Sequence, residues 1–292
     1  MGNRPCCDRC AYGNSAPVPP ENVLVPVVSE APMRGAMDLS FDLPEPDAED
    51  ALDAPKSAML VHKPEVQLPS GPFYSGQWCG EHIHGQGILK LLNGDRYEGF
   101  FEDSVAHGHG KFTEASGSVY EGQWELDQKH GIGKYTHVDG TTYMGRWERD
   151  MKAGIGSERW SDGATYEGEF RHGYKHGRGI YVADGGVRYD GQFRHDRFEG
   201  EGTYSFANGR TYIGQWHLGR MSGQGKTEYP DGSSYEGEFQ EDLQHGEGLF
   251  NGPDGRSYQG QWGHGQFDGA GVLIEGNGYR ESGRWWQGKF QG

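Results

Sequence analysis

Tyr120-Glu121-Gly122-Gln123-Trp124, followed by His130-Gly131-Ile132-Gly133-Lys134-Tyr135 and then Asp139-Gly140, is the stretch on which the fold is read. Alternate residues of an extended strand share a face. Tyr120, Gly122 and Trp124 therefore point one way, and Glu121 and Gln123 the other. In the second segment Gly131, Gly133 and Tyr135 again share a parity. A glycine inside a strand lets a neighbouring ring approach the backbone, and an Asp-Gly pair is a strong hairpin-turn signal. The stretch predicts a β-hairpin with one aromatic, glycine-slotted face and one polar, acidic face, its strands linked by about six residues, Glu125 to His130.

The same pattern returns every 23 residues without insertion. The tyrosines are Tyr74, Tyr97, Tyr120, Tyr143, Tyr166, Tyr189, Tyr212, Tyr235 and Tyr258. The partner two residues beyond the glycine is Trp or Phe, among them Trp124, Trp147, Trp216 and Trp262. Gly-x-Gly keeps the phase from Gly85/Gly87 to Gly269/Gly271, and so does a turn glycine from Gly94 to Gly278. A tenth unit has Gly283 and Trp285 but Glu281 in place of the tyrosine, which suits a polar end cap. Periods of this length mean solenoids, propellers or arrays. Propeller blades need about 40 residues, so 23 fits poorly. Single hairpins are marginal and gain stability by stacking on their neighbours. The expected fold is all-β: an elongated, single-layer antiparallel array of hairpins over residues 73–292.

Composition agrees with a thin structure. Apolar residues make up 33% of the chain and aromatics 13%, while 51 residues are glycine, only Gly2, Gly13 and Gly35 of them before residue 71. Residues 11–72 are rich in Pro, Ala and acid, show no period, and read as a disordered arm. Within it Met37-Asp38-Leu39-Ser40-Phe41 reads either as spacer or as a short partner-binding motif. The formal charge is −16, which opposes nucleic acid and anionic membranes as partners of the array.

These residues resemble the MORN (membrane occupation and recognition nexus) repeat, whose unit is similar to Tyr-Glu-Gly-Glu-Trp, His-Gly-x-Gly and an Asp-Gly turn. The resemblance covers residues 74–292. It implies an assembly array of the kind found in ciliary radial spoke heads, junctional membrane complexes and cytoskeletal rings, and beside catalytic domains in lipid kinases and methyltransferases. The expected role is a non-catalytic scaffold binding ciliary, flagellar or cytoskeletal proteins, or a second copy of itself, through the aromatic face. That face comprises Tyr97, Tyr120, Trp124, Tyr143, Trp147, Tyr166, Tyr189, Tyr212, Trp216, Tyr235, Tyr258 and Trp262.

No catalytic residue, cofactor or metal site is expected. Repeated carboxylates share one environment, whereas catalytic pairs need different ones. Histidines His84, His107, His130, His176 and His245 would stand roughly 10 Å apart, two strand spacings, too far to share an ion. The start of the chain is different. In residues 1–10 Gly2 resembles a myristoylation acceptor, and Cys6 and Cys7 palmitoylation sites, although Pro5 and Cys6 fit the acceptor pattern poorly; an inert tail is the plain alternative, and Cys10 adds a weak metal reading. Acylation would make the chain a membrane-tethered adaptor. With no signal peptide or apolar span in sight, the expected location is cytoplasmic, at the axoneme or cytoskeleton, with membrane attachment through that end.

Overall fold

The computed structural model describes residues 59–292. The readings at Gly2, Cys6, Cys7 and the arm up to residue 58 lie outside them. The described residues form twenty-one strands and one three-residue 3-10 turn. They fall into two compact units, residues 59–184 with 194–196, and residues 185–193 with 197–292.

In the first unit β1 (Val61–Gln67) precedes five hairpins: β2 (Phe73–Cys79) with β3 (His82–Lys90), β4 (Arg96–Glu102) with β5 (Val105–Thr113), β6 (Val119–Glu125) with β7 (Gln128–Thr136), β8 (Thr142–Glu148) with β9 (Met151–Arg159), and β10 (Thr165–Arg171) with β11 (Tyr174–Val182). Each strand pairs antiparallel with its neighbours in sequence, and no pairing brings β1 back to β11, so this unit is open. The second unit repeats the plan from β12 (Arg188–Arg194) through β13 (Arg197–Ser205), β14 (Thr211–His217), β15 (Arg220–Glu228), β16 (Ser234–Gln240), β17 (Leu243–Asn251), β18 (Ser257–Gly263), β19 (Gln266–Ile274) and β20 (Arg280–Trp286) to the two-residue β21 (Lys289–Phe290). The all-β hairpin array is the observed architecture.

Two expectations are corrected. Residues 61–67, read as part of the arm, form β1 and pair with β2; Lys63 lies over the Trp78 ring at 4.1 Å and Glu65 accepts from Lys90 Nζ, although no repeat residue marks the segment. The turns are also exchanged. The six-residue link shrinks to two residues, Leu126 and Asp127, at φ 50° and 64°. Positive φ at both central positions is the type I′ geometry that matches strand twist. The Asp-Gly segment is instead a longer loop, closed by His137 N–H to Thr141 C=O at 2.7 Å, with Gly140 at φ 88°. A loop ending in a left-handed glycine is the next commonest hairpin solution. Asp139 accepts from Thr141 N–H at 2.8 Å, which is why Asp or Asn precedes that glycine.

The two glycines of Gly-x-Gly serve different ends. Gly131 takes φ 57° where the register between β6 and β7 slips past Gly122/Gly133, making a β-bulge. The bulged Ile132 N–H donates to Gln123 Oε1 at 2.7 Å. Gln77, Glu169, Gln192, Gln215, Glu238 and Gln261 accept the corresponding bulge N–H in their repeats. Gly133 makes room for a ring: a Cβ there would lie 2.6 Å from two carbons of Tyr120. Such overpacking costs typically 1–3 kcal/mol. Gly133→Ala is therefore expected to lower the urea midpoint of unfolding below that of Gly140→Ala, where a Cβ meets nothing within 4 Å and only the φ of 88° is unfavourable; a smaller effect at Gly133 would show that the Tyr120 ring yields to a methyl group.

Candidate functional site: two faces of the array

The aromatic face is the core. Among the twelve residues expected to bind partners, Tyr143, Tyr166, Tyr189, Tyr212, Tyr235 and Tyr258 are 0% exposed and the most exposed, Trp124, is 8%. Each ring is occupied internally. Tyr120 Oη donates to Gln123 C=O at 2.8 Å, and the bond recurs in all nine tyrosines from Tyr74 to Tyr258. Trp147 Nε1 donates to Gly133 C=O of the preceding repeat at 3.1 Å, as Trp124, Trp216 and Trp262 do to theirs. Tyr120 meets Trp124 edge-on at 5.1 Å and Trp147 of the next repeat at 5.3 Å, the arrangement that ring quadrupoles favour. The rings stack on one another within the array, and their burial leaves little of them exposed to a partner. A thin array has no other core, so it buries its large rings within its own layer.

Charged side chains close that layer where aromatics run out. Lys129 Nζ lies 5.2–5.5 Å from the rings of Tyr120, Tyr135 and Trp147. Glu158 occupies the position of Tyr135 one repeat on, and receives Lys152 and Lys175 at 2.9 Å each. Burial alone would raise the Glu158 pKa, but the two ammonium groups outweigh it and hold the carboxylate ionised. Loss of water pulls Lys152 below the ordinary lysine value, since one carboxylate cannot fully offset two buried cations. Asp127, in the type I′ turn, joins repeats: its carboxylate accepts from Ala106 N–H and its own N–H donates to Ala106 C=O, at 2.6 and 3.0 Å. Asp150, Asp196 and Asp242 repeat the clamp. Sequence reading missed it, although an acid recurring in phase with the repeat, at Asp127, Asp150, Asp196 and Asp242, carried the signal.

The opposite face holds an open groove across β1–β6. The glycine stripe Gly76, Gly87, Gly99, Gly110 and Gly122 floors it, and Gln77, Gln86, Glu98, Phe100, His109 and Lys111 wall it. Phe100 stands where seven other repeats have the Gln or Glu that caps the bulge. Its ring is 36% exposed in the groove, so this repeat gives up a structural bond and presents an aromatic. Among the described residues no group of three His, Cys, Asp or Glu is placed to hold a metal ion. His84, His107 and His130 each face a carboxylate near the turn, Asp103, Glu102 and Glu125, at 3.8, 3.6 and 3.1 Å.

The MORN repeat profile matches eight consecutive segments, 97–119, 120–142, 143–165, 166–187, 189–209, 212–234, 235–255 and 258–278. The chain belongs to the MORN-repeat family. The hairpin Tyr74–Lys90, outside the matched segments, has the same Tyr-to-carbonyl bond and the same bulge. No curated protein matches the chain. Among solved structures it is similar at 12% identity to the TCP domain of Drosophila melanogaster SAS-4, solved with a proline-rich motif of Ana2, covering 80% of this chain and 96% of that one at a TM-score of 0.23. A catalytically inactive virginiamycin B lyase from Staphylococcus aureus with quinupristin follows at 9% identity, 78% and 85% coverage and TM-score 0.15. A streptogramin B lyase is 10% identical, with 80% and 85% coverage and TM-score 0.15.

Burial raises the pKa of all nine repeat tyrosines, to about 12 at Tyr74 and Tyr258 and further at Tyr97, Tyr120, Tyr143, Tyr166, Tyr189, Tyr212 and Tyr235. A phenol whose folded pKa lies above its unfolded value of 10 contributes fully below pH 10 and loses that contribution as pH rises through the folded value. Each tyrosine that ionises only on unfolding costs about 1.4 kcal/mol per pH unit above 10. The MORN array is expected to unfold in alkali between pH 10 and 12, with tyrosinate absorbance appearing together with loss of β signal in circular dichroism. Tyrosinate at pH 10 in a folded chain would contradict the buried ladder.

Proposed function

We propose that this chain is a non-catalytic protein-binding scaffold that presents its polar face, not its aromatic one, to partners. MORN repeats are consistent with protein binding. The observation that carries the reading is the division of labour between the faces: the rings are consumed in the core, and the groove with exposed Phe100 lies opposite. Glu98 and Glu121 alternate there with His109 and Lys111, so the groove offers donors, acceptors and one aromatic contact to an extended polypeptide. Such a segment needs no deep cavity, only alternating polar contacts and an anchor.

Within that reading the partners are subunits of a ciliary, radial-spoke-type or cytoskeletal complex, which rests on the family resemblance alone. The test is proximity labelling with the tagged chain, comparing wild type, Phe100→Asp and Lys111→Glu. Both variants are expected to stay folded and to lose the labelled partners, whereas Trp147→Ala should lose the fold. Partners kept by Phe100→Asp and Lys111→Glu would remove the groove from the reading, and labelling without axonemal or cytoskeletal proteins would remove the assignment to those complexes.

A second reading follows from Gly2, Cys6 and Cys7: an acylated end that tethers the scaffold at a bilayer, two lipid signals being needed for stable attachment. A C-terminally tagged chain is then expected at membranes and its Gly2→Ala/Cys6→Ser/Cys7→Ser variant in the soluble fraction; identical fractionation would exclude the tether.

A further inference from the structure

The tight-turn edge changes sign along the first unit. At the last residue of the first strand of successive hairpins stand Glu102, Glu125 and Glu148, then Arg171 and Arg194; at the next position stand Asp103, Leu126 and Arg149, then His172 and His195. His84, His107 and His130 each have a carboxylate within 4 Å, but their counterpart His176 faces cations. Its ring lies 6.0 Å from that of His195, which also meets Tyr174 at 5.7 Å. Arg171 is the strand partner of Tyr174. After desolvation, the groups that lower the pKa of His176 are Arg171, His195 and Arg194, against Glu169 alone raising it.

The neighbouring acids are engaged elsewhere. Glu169 accepts from Arg178 N–H at 2.8 Å, and Asp196 accepts from Lys175 N–H at 2.8 Å. Arg171, His172, Arg194 and His195 are exposed, and Tyr174 is 46% exposed. A chain of net charge −16 thus concentrates two guanidinium groups and three imidazoles around one exposed ring.

We propose that this turn edge, formed by Arg171, His172, His176, Arg194 and His195 with Tyr174 beside them, is a binding site for a phosphorylated side chain on a partner polypeptide. A phosphate ester carries up to two charges on oxygens that match guanidinium forks, and Tyr174 gives the flanking peptide an apolar surface. A flat anionic membrane or an extended nucleic acid fits less well. Either would run on over Glu148 and Glu125 of the same edge, and affinity for such polyanions needs many phosphate contacts in a row. The site is independent of the groove on the polar face.

The test uses the full chain and a fluorescent peptide of otherwise neutral sequence bearing one phosphoserine, its unphosphorylated twin, inorganic phosphate, and phosphatidylserine-containing vesicles. The phosphopeptide is expected to bind saturably, to weaken with salt, and to lose about tenfold or more in affinity in Arg171→Gln/Arg194→Gln. Charge reversal in Arg171→Glu/Arg194→Glu should abolish binding, while Lys226→Glu, elsewhere in the array, should leave it unchanged. Circular dichroism identifies any variant that fails to fold; because these arginines are exposed, the Gln pair remains the deciding variant. Inorganic phosphate competing with the peptide supports recognition of the phosphate itself. Equal binding of the unphosphorylated twin, binding unaffected in the Gln pair, or binding of vesicles but not of the peptide would each overturn the proposal.

Discussion

Each repeat tyrosine lies across a glycine and donates its hydroxyl to the carbonyl three residues on, and this small unit sets the rest of the structure. Gly122 and Gly133 are strand partners, so one ring covers the meeting point of two backbones where no Cβ fits. The hydroxyl bond satisfies a polar atom inside an apolar layer, which would otherwise carry a desolvation cost. The ring also presents its edge to the Trp or Phe of its own repeat and of the next. One residue type therefore packs the hairpin and ties it to its neighbour. This is how each unit of a chain with few aliphatic residues builds a core one layer thick.

Spacing the ladder evenly fixes what can vary. Positions pointing into the ring layer tolerate a change only when the neighbours compensate, as at Glu158, where two lysines turn an aromatic position into an ion cluster. Positions at the turns and on the polar face, apart from the clamping aspartates, the turn glycines and the bulge-capping Gln or Glu, are freer. There the sequence drifts from repeat to repeat, placing Phe100 in the groove and reversing the charge of the turn edge at Arg171 and Arg194. A partner that distinguishes one position along the array from another has only these departures to read, because identical units offer it nothing to tell them apart.

The period, the hairpin and the two-faced pattern were legible in Tyr120–Gly140 because strand alternation and glycine placement are local properties. The division between a consumed face and an available one was not. The pattern that marks Trp124 and Trp147 as a shared surface is the same for an exposed stripe and for a buried ladder; only their edge-to-face contacts and carbonyl bonds show that the rings are spent. The type I′ turn at Leu126-Asp127 was likewise hidden, since its central positions lack the glycine such a turn usually calls for, and the glycine at Gly131, present in every full repeat, did not show by itself whether it made a bulge or a slot for a ring.

The sequence by itself determined that this is a repeating antiparallel β array with glycines against aromatics, because a strict 23-residue interval leaves each unit only its neighbours to pack on. Tertiary structure decided which face is core, where β1 joins, how Asp127 clamps one repeat to the one before, and that His176, Arg171 and Arg194 share one edge. Those are relations between residues that lie strands apart, set by register and bulge, and a register is a property of paired strands rather than of any one of them.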